Sequence, residues 1–198
     1  MIAQGEKAAI GRAAAALIPD QASLFINIGT TTEAVASALL QRSGLMVITN
    51  NITVATLMRP YPSLQVIIAG GVVRSSDGGI VGEAAVDFIR QFKVDYAIIG
   101  ISAIDLDGSL LDFDYREVKV AQAITENARR VVLVADATKF ERPAPVRMGH
   151  LSEVDVFVTD HCRHEEIRTL CADNEVELIE AGTVGTRAAP APDGRNTA

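Results

Sequence analysis

The stretch "ASLFINIGTTTEAVASALL" (residues 22–40) carries the reading of the fold. A short apolar run is broken at Gly29, three threonines follow, and an apolar-periodic segment closes the stretch. Three consecutive β-branched residues are a poor way to start a helix on propensity alone. A glycine turn entering a helix is a good way to hold an anion. It exposes backbone N–H groups and the positive end of the helix dipole, and neighbouring hydroxyls add donors. Thr30 and Glu33 also fit the T-x-x-E capping box, which does no more than start a helix. The stretch is therefore strand, turn and helix, with both a cap and a ligand cradle open at the turn.

Apolar runs of the same kind recur at 45–49, 64–70, 95–100, 130–136, 155–160 and 176–182. Most are β-branched and continuous rather than alternating, the pattern of strands buried on both faces. Helical patterns lie between them, at 32–41, 51–59, 82–91, 114–128 and 163–173, and a first helix is expected over 6–18, stopped by Pro19. Strand alternating with helix predicts an α/β fold: a mainly parallel sheet with helices on both faces. Hydrophobic residues make up 48% of the 198, but aromatics only 5% and Trp none, so the core must be aliphatic. The length suits one domain, expected over 1–182. The tail 183–198, rich in Gly, Pro and Ala, reads as disordered.

The bulk numbers also exclude classes. A net charge of −7 argues against this chain gripping nucleic acid by itself. Two cysteines make no disulfide framework. No apolar run reaches the roughly 18 residues needed to span a bilayer, so no membrane partner is expected. The Ala-rich N-terminus lacks a secretory pattern, and the chain reads as cytoplasmic. The spacing of "HCRH" (161–164) matches no zinc pattern, and no metal is expected. No GxxxxGK, GxGxxG or GxSxG occurs, so no nucleotide cofactor or serine nucleophile is expected.

In a parallel α/β sheet, ligands bind beyond the carboxyl ends of the strands, where the strand order reverses. Polar and glycine residues do follow the strands here. "TNN" (49–51) offers either an Asn cap or amides facing a cleft. "AGGVVRSSDGGIVG" (69–82) holds five glycines in fourteen residues; Gly71 would permit close backbone approach and Arg74 could meet a phosphate bidentately, or the segment is a flexible connection or a hairpin. Asp112, Asp114, Arg116, Glu117 and Lys119 bunch at a helix start that Asp114 can cap. Such charge suits solvent and the dipole, but carboxylates above a cleft also bind hydroxyls or act as a general base. Lys139, after the strand at 130–136, would neutralise an anion if it lay opposite Gly29–Thr32.

The order of these motifs resembles the effector-sensing domain of the DeoR family of bacterial transcriptional regulators. The matching elements are "GEKAAIGRAAAALI", "NIGTTTEAVASAL", "VITNN", "IIAGGVVR", "GIVGEAAVDFI", "VDYAIIGISAID", "DFDYREVKVAQAI", "LVADATKFERPAPVRMGHL" and "VDVFVTD", over residues 5 to 160. Within the family, "GISAIDLDGSLLDFDYREVKVAQAI" looks most like the repressors of the glycerol-3-phosphate regulon. The resemblance implies a fold similar to ribose-5-phosphate isomerase and glucosamine-6-phosphate deaminase. It implies an effector that is a phosphorylated sugar or polyol, glycerol 3-phosphate first. It further implies that Gly29, Thr30, Thr31 and Thr32 hold the phosphate, that Lys139 pairs with it, and that Asn50, Gly71, Arg74, Asp112 and Glu117 line the rest. Family members carry an N-terminal winged helix-turn-helix, and no recognition-helix pattern precedes Gly5. Operator DNA is thus a partner only through that absent domain, and a homo-oligomer, dimer or tetramer, is expected. The alternative is a sugar-phosphate isomerase-like enzyme with Glu117 as general base. Residues 74–81 are the candidate mobile element, because Gly78 and Gly79 can absorb backbone change.

Overall fold

The structure, a computed structural model, describes residues 2–140 and 142–182, so the tail read as disordered lies outside the described residues. The apolar runs become strands where the sequence places them. In chain order the elements are α1 (Ile2–Ala15), β1 (Ser23–Ile26), α2 (Thr30–Ala38), β2 (Met46–Thr49), α3 (Ile52–Met58), β3 (Gln65–Ile68), β4 (Val72–Val73), β5 (Ile80–Val81) and α4 (Glu83–Ile89). They continue with β6 (Val94–Ile99), β7 (Ala103–Ile104), β8 (Ser109–Asp112), α5 (Tyr115–Glu126), β9 (Ala128–Val134), β10 (Val146–His150), β11 (Val156–Thr159), α6 (Glu165–Asp173) and β12 (Glu177–Glu180). The first helix ends three residues before the expected Ile18. Pro19 disfavours helical backbone at the residue before it, and the chain tightens into turns at Leu17 and Ile18.

Seven strands form one sheet in the order β12-β11-β9-β6-β1-β2-β3, every neighbouring pair parallel. Side chains alternate between its faces. Leu24 and Ile26 of β1 join Ile10, Val35, Val54 and Met58 on one side, under α1, α2 and α3. Phe25 joins Ile89, Val118, Ile124 and Ile167 on the other, under α4, α5 and α6. Cover on both faces is why these runs are continuously apolar. Among the described residues no helix is long and apolar enough to cross a membrane.

From β1 the chain lays strands outward on one side to β3, then returns to β6 and proceeds outward on the other side to β12. The order reverses between β1 and β6, and their carboxyl ends open a crevice there. Two small antiparallel units flank it: the hairpin β4–β5, and a three-stranded sheet in the order β10-β8-β7. The hairpin is one of the two readings left open for 69–82. The three-stranded sheet is not foreseen, because strands of two to five residues set among charges carry too few residues for a period.

α1 and α2 pack in intimate contact. A Cβ on Gly11 would stand 2.6 Å from the carbonyl oxygen of Ala34, so only glycine admits this approach. Gly11 therefore serves packing, at the usual helical cost of a glycine.

Candidate functional site

A cleft of about 800 Å³ occupies the crevice. Eight of the ten residues singled out in the sequence line it: Gly29, Thr30, Thr31, Thr32, Arg74, Asp112, Glu117 and Lys139. One end is built by the turn after β1. Gly29 has φ 137°, a backbone conformation that favours glycine, and it precedes α2 with no side chain capping the helix. The first-turn N–H groups of α2 are therefore without intrahelical partners. The expected capping box does not form: Thr30 Oγ1 accepts a hydrogen bond from Lys7 Nζ at 2.9 Å, and Glu33 accepts from Asn51 Nδ2 at 3.0 Å. Thr32 turns back into the fold, its hydroxyl 2.8 Å from the Asn27 carbonyl oxygen and 2.7 Å from that of Gly29, which holds the turn in shape. Thr31 is buried in the lining, and among the described residues no protein group pairs with its hydroxyl.

Lys139 reaches the cleft from a short 3-10 turn after β9. Asp136 caps that turn, accepting from the Thr138 N–H at 3.0 Å and from the Thr138 hydroxyl. Lys139 is half-buried, and burial is the main cause of a pKa below the usual lysine range.

The cleft also carries acidic residues. Asp112, at the end of β8, is buried and accepts from Ser102 Oγ at 2.9 Å and from the Phe113 N–H at 2.7 Å. Glu117 lies in the first turn of α5, which Asp114 caps through the Arg116 N–H at 2.9 Å. Arg74 bridges from the hairpin to this helix start: it pairs with Asp77 beside it, with Asp114 at 3.3 Å and with Glu117 at 2.6 Å. The Arg116 hydrogen bond leads the causes that hold Asp114 down to about 2. Glu117 goes the other way, pushed up to about 7; burial is the largest cause and the Asp112 charge the next, and together they outweigh the attraction of Arg74.

Arg74 therefore arrives at the cleft already neutralised by carboxylates, not as the free phosphate clamp its sequence context suggests. Asn50 and Gly71 do not line the cleft. Asn50 is fully buried and donates from Nδ2 to the Ile80 carbonyl oxygen at 3.1 Å, leaving Oδ1 without a partner among the described residues. A Cβ on Gly71 would stand 2.8 Å from the Val81 carbonyl oxygen. The physical reason is shared: the hairpin docks on the end of β2, where the Ile80 N–H donates to the Asn50 carbonyl oxygen at 2.8 Å, so both residues fasten the hairpin. Of the "NN" pair, Asn51 caps α3 through the Thr53 N–H at 2.9 Å.

Sequence reasoning passed over Ser102 and Lys7. Ser102 follows β6, so the same switch-point rule that singles out Gly29 could have found it. Lys7 carried no signal, because it comes from a helix 23 residues before Thr30. "HCRH" lies away from the cleft: His161 Nδ1 stands 3.2 Å from Glu180, and the His164 ring packs 5.0 Å from that of Phe140. Among the described residues, no group of His, Cys, Asp and Glu is arranged to hold a metal ion.

The seven-stranded parallel sheet with helices on both faces has a fold similar to that of ribose-5-phosphate isomerase. Ribose-5-phosphate isomerase A from Methanocaldococcus jannaschii superposes with a TM-score of 0.51 at 15% identity, over 68% of this chain and 53% of that one. eIF2B delta from Chaetomium thermophilum gives 0.58 at 16%, over 78% and 55%. Such low identities establish the fold alone. Residues 2–161 match the model of the DeoR C terminal sensor domain, and the chain belongs to that family. It is 50% identical over 173 residues to the glycerol-3-phosphate regulon repressor of Escherichia coli, covering 87% of this chain and 69% of the relative. It is 54% identical over 154 residues to the repressor of that name from Haemophilus influenzae, covering 78% and 60%. To the E. coli HTH-type transcriptional repressor CsqR it is 38% identical over 174 residues, covering 88% and 67%. The chain thus spans roughly two thirds of the length of these relatives.

Proposed function

We propose that this domain senses a phosphorylated polyol or sugar, glycerol 3-phosphate first, and so governs the hold on operator DNA of a repressor whose DNA-binding part lies outside it. The supporting observation is that one cleft is lined by two kinds of group. The first-turn N–H groups of α2, which have no intrahelical partners, the Thr31 hydroxyl and Lys139 suit a phosphate. Asp112 and Glu117, in the same lining, suit the hydroxyls of a polyol, since a carboxylate accepts what a hydroxyl donates. The names of the relatives supply the regulon.

A panel of sugar and polyol phosphates tests this. At 100 times its Kd the cognate ligand is expected to stabilise the domain by ~2.7 kcal/mol, a Tm rise of roughly 5–11 °C at this chain length. A panel in which no phosphorylated compound moves Tm overturns the reading. The raised pKa of Glu117 favours a second reading, a general base on an isomerase-like site. Against it, Glu117 is gripped by Arg74 and the relatives carry the names of repressors. The same mixtures followed by NMR are expected to show no conversion; turnover of ribose 5-phosphate at ~1 s⁻¹ or faster would establish the enzyme instead.

Regulation then follows as a population shift, because a ligand moves an equilibrium only by its preference for one state. A coupling of ~1–3 kcal/mol would change operator affinity roughly 5–150-fold, in an assembly of at least two copies, as a two-fold operator requires. The hairpin turn 74–79, strapped to α5 by Arg74, is the element we assign to that shift. Amide hydrogen exchange over 74–81 is expected to change when glycerol 3-phosphate binds. Binding with unaltered exchange there removes the hairpin from the mechanism.

A further inference from the structure

α1 brings to Thr30, a residue of the cleft lining, a polar group that no motif marks. Lys7, Ile10, Gly11 and Ala14 stand at the i, i+3, i+4, i+7 spacing of one helical stripe. Ile10 and Ala14 are fully buried, and Gly11 meets the backbone of Ala34. One turn earlier on the same stripe, Lys7 Nζ donates to Thr30 Oγ1 at 2.9 Å. The two contacts have the same offset, Lys7 to Thr30 and Gly11 to Ala34, so α1 runs beside α2 in the same direction and delivers Lys7 to its first residue. The close contact at Gly11 sets the backbone of α1 against that of α2 one turn from this bond.

Two properties of Lys7 suit an anion. Among the described residues it pairs with no carboxylate, whereas Arg74, the other cation singled out for phosphate, has three. It also lies near enough to Lys139 for the charges to repel: after burial, Arg142 and then Lys7 are the cations that depress the Lys139 pKa. One ammonium group on the hydroxylated turn, a second in the lining beside it, and the α2 N–H groups of Thr30 to Thr32 without intrahelical partners match the charge of a phosphate monoester dianion.

We propose that Lys7 is a second cationic binding residue for the phosphate group of the ligand, so that an occupied cleft ties α1 to α2 through the bound anion. This rests on the reading of the cleft as a phosphate-ligand site. It adds a residue from outside the sheet-edge motifs and makes α1 part of the sensor, not merely a packing helix.

Calorimetry with glycerol 3-phosphate and with inorganic phosphate tests it on the wild-type chain, Lys7→Ala, Lys7→Arg and Lys93→Ala. Lys93 donates to the Glu126 carbonyl oxygen at 3.1 Å and precedes β6, at the amino end of the strands and away from the carboxyl ends that form the cleft, so it serves as the distant control. Lys7→Ala is expected to bind glycerol 3-phosphate roughly 10-fold or more weakly and with a flatter salt dependence. Lys7→Arg and Lys93→Ala should stay close to wild type. The unliganded Tm of Lys7→Ala should not move, since Lys7 is only partly buried. Unchanged affinity in Lys7→Ala overturns the assignment while leaving the cleft reading intact. A lowered unliganded Tm with unchanged affinity makes Lys7 a packing residue and overturns it too. A wild-type chain that binds neither probe overturns the cleft reading and this inference with it.

Discussion

Lys139→Ala is expected to weaken glycerol 3-phosphate binding roughly 10- to 150-fold, the ~1.5–3 kcal/mol of a hydrogen bond to a charged group. The lysine is half-buried at the end of β9, on the rim of the switch-point cleft. Burial disfavours its charged form and a phosphate placed against it would favour that form, so the pair gains more than a solvated pair of the same geometry. Thr31→Ala should cost less, because it removes one neutral hydroxyl, worth about 0.5–1.5 kcal/mol. Isothermal calorimetry at fixed ionic strength checks both. An affinity in Lys139→Ala equal to wild type would take Lys139 out of the site.

Glu117 is expected to make the domain lose about 3 kcal/mol of stability as pH rises from about 4.5 to about 7, and Glu117→Gln is expected to abolish that loss. The carboxyl titrates near 4.5 in the unfolded chain and is pushed up to about 7 in the fold. Between these values the unfolded chain has released its proton while the folded chain keeps it. The folded state therefore binds more protons, and stability falls with pH across that window and levels off above it. Burial and the neighbouring Asp112 charge drive the shift; Arg74 opposes it but is shared with Asp77 and Asp114. Urea unfolding of wild type and Glu117→Gln at pH 5 and pH 8 reads the difference. Wild-type and variant stabilities that change in parallel with pH would show that Glu117 does not carry this proton.

The apolar runs, the helical patterns between them and the strand-to-helix turn at Gly29 were legible because each is a local pattern. Burial on both sheet faces writes itself into a strand as an unbroken aliphatic run, and a helix start writes itself into its first four residues. From those patterns the parallel sheet and its polar edge follow, and the ordered motifs carry the family. The contents of the cleft were legible only in part. Gly29, Thr30, Thr31, Asp112, Glu117 and Lys139 stand where their positions after strands or at a helix start would put them. Arg74 reaches the cleft, but the sequence held no sign that three carboxylates from two segments would converge on it.

Asn50 and Gly71 mark where local reading stopped. Both follow strands, as a ligand residue would, yet the docking of a hairpin closed by residues 30 and 10 positions further on buried Asn50 and set Gly71 against the Val81 carbonyl oxygen. Thr32 is the same case within the motif itself: three identical hydroxyls in a row read alike, and the turn of the helix sends the third back to the Asn27 and Gly29 carbonyl oxygens. Lys7 is the converse, a residue from a distant helix carried to Thr30 by the glycine contact between α1 and α2. Fold class and the anion-ready turn rest on neighbours in the chain, whose spacing is covalent. The membership of the cleft and the pairing of its charges rest on contacts between segments far apart in sequence, which exist only once the sheet has reversed its strand order and packed helices on both faces.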